Sequence, residues 1–192
     1  MRTLKELSSL HGRVALITGG AGHLGRAMAD ALAELGAAIA FADIDLEAAK
    51  AAAITVAERF SVKTAAIAVD LAQEDMATSL PGEIAARLGS LDILINNAAF
   101  VGTSSLSGWG VEFSRQTTET WRKALEVNLT SVFTLCREAA PLLRKSQHGC
   151  IINIASIYGL LGPDMGLYKG TPMGNPAAYA ASKGGVLQLT RW

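Results

Sequence analysis

Cysteine and histidine are scarce in this chain: among 192 residues there are two of the first and three of the second. Two cysteines cannot build the disulfide framework of a small secreted domain. Cys136 and Cys150 lie in or beside apolar segments, so buried free thiols in a reducing cytoplasm are expected. His11, His23 and His148 are scattered, and no metal site is expected. No apolar run approaches the roughly 18 residues of a membrane-spanning helix. The N-terminus lacks the continuous apolar stretch of a secretory signal and reads as a lead-in to the first strand. Surplus charge is missing as well: Lys+Arg and Asp+Glu number 17 each, for a formal net charge of +0. That leaves no electrostatic footprint for nucleic acid or an anionic membrane. What is present is 50% hydrophobic residues, enough for one domain over residues 1–192 with a full core.

Short apolar runs alternate with longer segments of helical spacing. Strands are expected at Val14–Thr18, Ala37–Ala42, Thr64–Val69, Leu91–Ile95 and Ile151–Ala155. Helices are expected at His23–Leu35, Asp45–Phe60 with Asp45 as N-cap, Glu74–Leu88 and Thr118–Arg144. Pro81-Gly82 should interrupt or kink the third of these. Phe100–Gln116 and Ser156–Asn175 read as loops. Asn175-Pro176 reads as the start of a last helix, with Asn as cap and Pro at the first helical position. Strands alternating with helices, and apolar along their whole length, imply a doubly wound parallel α/β sheet of Rossmann type. Ligands in such sheets bind beyond the carboxyl ends of the strands.

The first strand runs into Thr18-Gly19-Gly20-Ala21-Gly22-His23-Leu24-Gly25. Gly20-x-Gly22-x-x-Gly25 at a strand–turn–helix junction is a dinucleotide-binding pattern. One glycine allows the tight turn, one the approach of a pyrophosphate, and one the packing of helix on sheet. The following helix N-terminus supplies free N–H donors. Asp43 ends the second strand at about the spacing of an acid that binds an adenosine ribose. Ile44 and Asp45 follow, with no base to attract a 2′-phosphate, so NAD(H) is favoured over NADP(H). Asp70 ends the third strand and either borders the adenine or caps the next helix.

Tyr179 and Lys183 lie four positions apart in Tyr-Ala-Ala-Ser-Lys. Residues at i and i+4 share a helix face, so a phenol and an ammonium can point at one spot. A free tyrosine, with a pKa of about 10, is a poor proton donor or acceptor at neutral pH. A fixed cation beside it favours the phenolate. On its own the pair reads first as an exposed i,i+4 contact.

Taken jointly and in this order, several pieces resemble the short-chain dehydrogenase/reductase family of classical type. They are Thr18–Gly25, Asp70, Asn96-Asn97-Ala98-Ala99, Val127-Asn128-Leu129, Ile152–Ser156 and Tyr179–Lys183, and the resemblance spans Gly12 to Trp192. It implies that Tyr179 is the general acid/base, and that Lys183 tunes it and holds the nicotinamide ribose. Ser156 would bond the substrate oxygen; Asn128 would bend the long helix and hold a water linked to Lys183. Cofactor contacts are implied for Thr18, Gly19, Gly20, Gly22, His23, Leu24, Gly25, Asp43, Ile44, Asp70, Leu71, Asn97, Ala98 and Ala99, with Tyr179 and Lys183 shared. The implied reaction moves a hydride between NAD(H) and a secondary alcohol or ketone. The resemblance also implies a homodimer or homotetramer through the long helix and the Tyr179 helix.

Three features depart from the classical pattern. His23 stands where the middle loop glycine is usual. The gap from Ser156 to Tyr179 is long; its Tyr158, Asp164, Tyr168 and Lys169 either suit a polyhydroxylated, sugar-related substrate or belong to a surface excursion. The family normally continues past the Tyr179 helix with further strands, so strand five is expected to be an uncovered edge. Two other readings stay open: a dinucleotide-binding fragment or sensor without catalysis, and an extended-type nucleotide-sugar epimerase or dehydratase.

Overall fold

The computed structural model describes residues 3–102 and 106–192. Met1 and Arg2 of the lead-in, and Thr103–Ser105 of the first expected loop, lie outside the described residues. Five strands, β1 (Val14–Thr18), β2 (Ala38–Asp43), β3 (Thr64–Ala68), β4 (Ile93–Asn96) and β5 (Cys150–Asn153), form one sheet in the order β3-β2-β1-β4-β5. β1 pairs in parallel with β2 and with β4, and β2 with β3. The chain therefore winds outward from β1 to β3 and returns to the other side of β1 for β4. Where the winding reverses, between β1 and β4, the carboxyl ends diverge into the crevice that binds ligands in such sheets. The doubly wound Rossmann-type sheet is as expected.

The interior strands carry the core. Leu16, Ile17, Ile39, Phe41 and Leu94 are wholly buried, each stabilising the fold by roughly 1.5–3 kcal/mol relative to exposure. Asp92, just before β4, is a buried acid. Its carboxylate accepts the Val14 N–H at 2.8 Å and the Ser90 hydroxyl at 2.7 Å. Burial alone would raise its pKa. The Ser90 hydroxyl, the Val14 N–H, a bond from Ser146 and the charge of Arg13 outweigh that and hold it below the ordinary value.

Among the described residues the α-helices are α1 (Leu4–Ser8), α2 (His23–Glu34), α3 (Leu46–Phe60), α4 (Glu74–Leu88), α5 (Thr118–Leu125), α6 (Ser131–Ser146) and α7 (Ala177–Arg191). α1 adds a helix to what was read as a plain lead-in; Thr3 and Glu6 form a capping box around its first turn. Asp45 caps α3 through the Ala48 N–H, as expected. α4 is not interrupted at Pro81, which is buried within it. The expected long helix divides: a π-turn, Glu126–Thr130, separates α5 from α6.

Two further expectations are corrected. Asn175 does not cap α7; Pro176 is the capping residue, without a side-chain bond, and the Asn175 amide donates to the Tyr168 hydroxyl at 3.2 Å. Cys150 is exposed rather than buried and Cys136 is partly buried, both as free thiols. The reason is position: β5 is an edge strand, and Ile151 and Ile152 beside Cys150 are 39% and 41% exposed.

The described residues fall into two compact units. One comprises the chain up to Ala98 with Thr134–Ile152, and holds the sheet. The other comprises Ala99–Phe133 and Asn153–Trp192.

Candidate active site

In the first unit, the turn after β1 is shaped by steric exclusion. Gly19 has φ +60°, and a Cβ there would lie 2.9 Å from the Ala98 Cα. A Cβ on Gly25 would meet the Gly19 carbonyl oxygen at 2.4 Å, so only glycine lets α2 pack this closely. Gly22 differs: its Cβ would approach no atom more closely than 3.4 Å, and the residue is exposed. Gly25 thus serves the packing of helix on sheet, and Gly22 is left with open space. α2 begins at His23, which is exposed, and Gly22 supplies no side-chain cap. The first turn of α2 has no acid. By contrast α3 is capped by Asp45, and α4 opens with Glu74 and Asp75. The start of α2 therefore keeps its donors and partial positive charge for an anion. This fits a pyrophosphate.

Asn97 braces the turn. Its amide donates to the carbonyls of Thr18 at 2.9 Å and Gly19 at 3.0 Å. The Thr18 hydroxyl in turn accepts the N–H groups of Asn97 and Ala98, both at 3.1 Å. Thr18 is buried, while Asn97, Ala98 and Ala99 are half-buried. The Asp43 carboxylate takes the Ala21 N–H at 2.9 Å and the Asp45 N–H at 3.2 Å, tying the end of β2 to the glycine turn. Leu24 and Ile44 are exposed at 64% and 73%. Asp70 accepts the Ala72 N–H at 3.0 Å and the Gln73 amide at 3.4 Å, and Leu71 behind it is buried.

In the second unit, α7 carries Tyr179 and Lys183 on one face. The Lys183 ammonium lies 5.9 Å from the centroid of the Tyr179 ring. Lys183 is 3% exposed, and its Nζ donates to the Ile154 carbonyl at 2.6 Å. Burial lowers its pKa from the ordinary lysine value. The Tyr179 ring packs on the cluster of Trp109, Ala124 and Ala178. Ser156 precedes a 3₁₀ turn, Ile157–Gly159, and its hydroxyl oxygen accepts the Tyr158 N–H at 3.2 Å. A Cβ on Gly159 would lie 2.7 Å from the Lys183 carbonyl, so glycine lets this turn lie directly on α7.

Asn128 sits in the π-turn, 1% exposed. Its Oδ1 accepts the Phe100 N–H at 2.6 Å. Its Nδ2 donates to the Phe100 carbonyl at 3.3 Å and to the Ser182 hydroxyl at 3.2 Å. Single π-turns within helices are frequent at functional sites. All four expected catalytic residues therefore belong to one unit: Asn128 bonds the Phe100 backbone and the Ser182 hydroxyl, and the turn after Ser156 lies on α7 at Lys183.

Of the polar groups expected to face a substrate, Asp164 accepts the Gly166 N–H at 2.8 Å, and the Tyr168 hydroxyl meets Asn175. Leu160, Leu161 and Leu167 of the same loop are exposed at 65%, 61% and 71%. One residue escaped the sequence reading. Gln116, at the end of the first loop, makes three hydrogen bonds spanning Val111, Asn175 and Ala177. No motif marks a lone glutamine in a loop. A cavity of about 280 Å³ opens beside it, and none of the four expected proton-transfer residues lines it. Among the described residues no group of three His, Cys, Asp or Glu could hold a metal ion, and no helix is long and apolar enough to cross a membrane.

The family model described as short chain dehydrogenase matches residues 13–192. The chain belongs to the short-chain dehydrogenase family. A probable galactose dehydrogenase of Rhizobium meliloti is 32% identical over 97% of this chain and 66% of its own length. The chain thus spans about two thirds of the length of the curated relatives it matches. Among solved short-chain dehydrogenase structures, NAD+-bound xylitol dehydrogenase superposes with a TM-score of 0.80 at 29% identity, covering 94% of this chain and 63% of that one. The NADPH-dependent 3-quinuclidinone reductase from Rhodotorula rubra gives 0.84 at 26% identity, over 100% of this chain and 66% of that one.

Proposed function

We propose that the chain is the nucleotide-binding and proton-transfer portion of an oxidoreductase acting on a secondary alcohol or ketone, with NAD(H) as the preferred cofactor. The observation that carries this reading is Lys183: a lysine buried against a carbonyl, one helical turn from Tyr179. A buried ammonium costs stability, and a perturbed, buried titratable group beside a second one marks a functional site.

Thr18, Gly19, Gly20, Gly22, His23, Leu24 and Gly25 would hold the pyrophosphate region, and Asp43 with Ile44 the adenosine ribose. Asp70, Leu71, Asn97, Ala98 and Ala99 would border the rest of the nucleotide. When bound, the nicotinamide ring supplies or accepts the hydride. Tyr179 gives or takes the hydroxyl proton at its phenolic oxygen. Lys183 keeps positive charge beside that phenol and bonds the ribose. Ser156 donates to the substrate oxygen as charge develops there. Asn128 would fix the π-turn and hold a water that links Lys183 to solvent. Asp43, followed in sequence by Ile44 and Asp45 rather than by a base, supports NAD(H). A sugar-related alcohol is the substrate class favoured by likeness to the galactose and xylitol dehydrogenases. We further propose a homodimer or homotetramer.

The test is a fluorescence titration with NADH and NADPH, followed by turnover on a panel of polyols, sugars and ketones. Tighter NADH binding and turnover of at least one secondary alcohol are expected. NADPH binding as tightly as NADH would overturn the cofactor preference. Cofactor binding with no turnover on any panel member would favour a sensor.

A further inference from the structure

We infer that Gln116 is a positioning residue that sets where the Tyr179 helix begins; this rests on the proton-transfer reading of Tyr179. α7 starts without the usual devices. Its capping residue, Pro176, makes no side-chain bond, and its first turn has no acid. The N–H of Ala177, at the first position of α7, is taken instead by a side chain from a distant segment: Gln116 Oε1 accepts it at 2.9 Å. Tyr179 stands only two residues further on.

The other end of the same amide is also committed. Gln116 Nε2 donates to the Val111 carbonyl at 3.1 Å and to the Asn175 carbonyl at 2.9 Å. These bonds join the segment before α5 to the segment before α7. The join is reinforced by an antiparallel bridge between Val111 and Met173 and by the Gly174 N–H on the Gly110 carbonyl at 3.0 Å. Gln116 thus uses its acceptor on the helix and its two donors on the loops. The acceptor fixes the first turn of α7, while the donors pin the long segment that follows Ser156. A general acid displaced by about 1 Å can lose up to roughly a hundredfold in rate, so an anchor two residues away has leverage on chemistry without touching it.

The experiment compares Gln116→Leu and Gln116→Glu in the full chain. Glutamate keeps the acceptor for Ala177 but has no donors for Val111 and Asn175. Gln116 lines the cavity shared with Trp109, Trp121 and Pro176, which leaves room for either side chain. Amide exchange is read at Ala177 and Gly174, together with kcat, KM and NADH affinity. For the Leu variant we expect Ala177 and Gly174 each to exchange about tenfold or more faster. We expect kcat to fall about tenfold, with NADH affinity unchanged. For the Glu variant we expect protection at Ala177 and most of kcat to be kept, with Gly174 still fast. Unchanged Ala177 exchange in the Leu variant overturns the inference. So does a Glu variant whose kcat falls as far as that of Leu while Ala177 stays protected. Should the Leu variant fail to fold, that second comparison is made between Glu and wild type. If wild-type turnover proves insensitive to Tyr179→Phe, the functional reading fails, and exchange at Ala177 alone decides the role of Gln116.

Discussion

The two units hold their functional groups by opposite means. In the first, the glycine turn is shaped by what is missing: no Cβ at Gly19 or Gly25 and no acid at the start of α2, beside the buried strands β1 and β4. In the second, three residues are held by named side-chain bonds: Asn128 on Phe100 and Ser182, Lys183 on Ile154, Gln116 on three backbone groups. Steric exclusion fails abruptly when an atom is added. Bonded anchoring fails by the worth of each bond removed. The two units should therefore break differently under mutation.

The largest effect is expected at Gly25. A valine there has its Cβ already 2.4 Å from the Gly19 carbonyl oxygen, so the turn must open. NADH affinity should fall more than about a hundredfold, read by fluorescence titration. Next comes Asn128→Ala in the second unit. It strands the buried Phe100 N–H, and chemical denaturation should show a loss of about 2–3 kcal/mol.

Asp92 sharpens the contrast, since it is a bonded anchor inside the sterically defined unit. Asp92→Ala should cost about 2 kcal/mol at neutral pH. Its folded pKa lies below the ordinary value. Its stabilising effect is thus present above the unfolded pKa and disappears as pH falls through the folded one. The gap between wild type and variant should close in that acid range, measured by thermal melts at stepped pH.

The smallest effect should have the opposite sign. Lys183 has its pKa lowered by burial, so its charged form is disfavoured in the fold. Between its folded pKa and the ordinary lysine value, the unfolded chain binds more protons, and stability rises with pH. Lys183→Met should remove that slope and raise the unfolding free energy near neutral pH. Turnover should be lost at the same time.

The same contrast explains what could be read from sequence. β1, β2 and the glycine turn are local patterns, and Val14–Thr18 and Asp45 are where the residues put them. Asn175 misled because Asn-Pro is a helix-start signal that Tyr168 redirected by taking the amide. Gln116 was invisible because its partners lie near it only after folding. The π-turn at Asn128 comes from side-chain bonds to Phe100 and Ser182, and no periodicity announces it. Cys150 was misjudged because an apolar run does not say which strand stands at the edge.

The most direct test is Tyr179→Phe, which removes one oxygen and keeps the ring on Trp109 and Ala178. The account predicts turnover reduced by about a hundredfold to ten-thousandfold, with NADH affinity and melting temperature nearly unchanged. Wild-type turnover in that variant would contradict it.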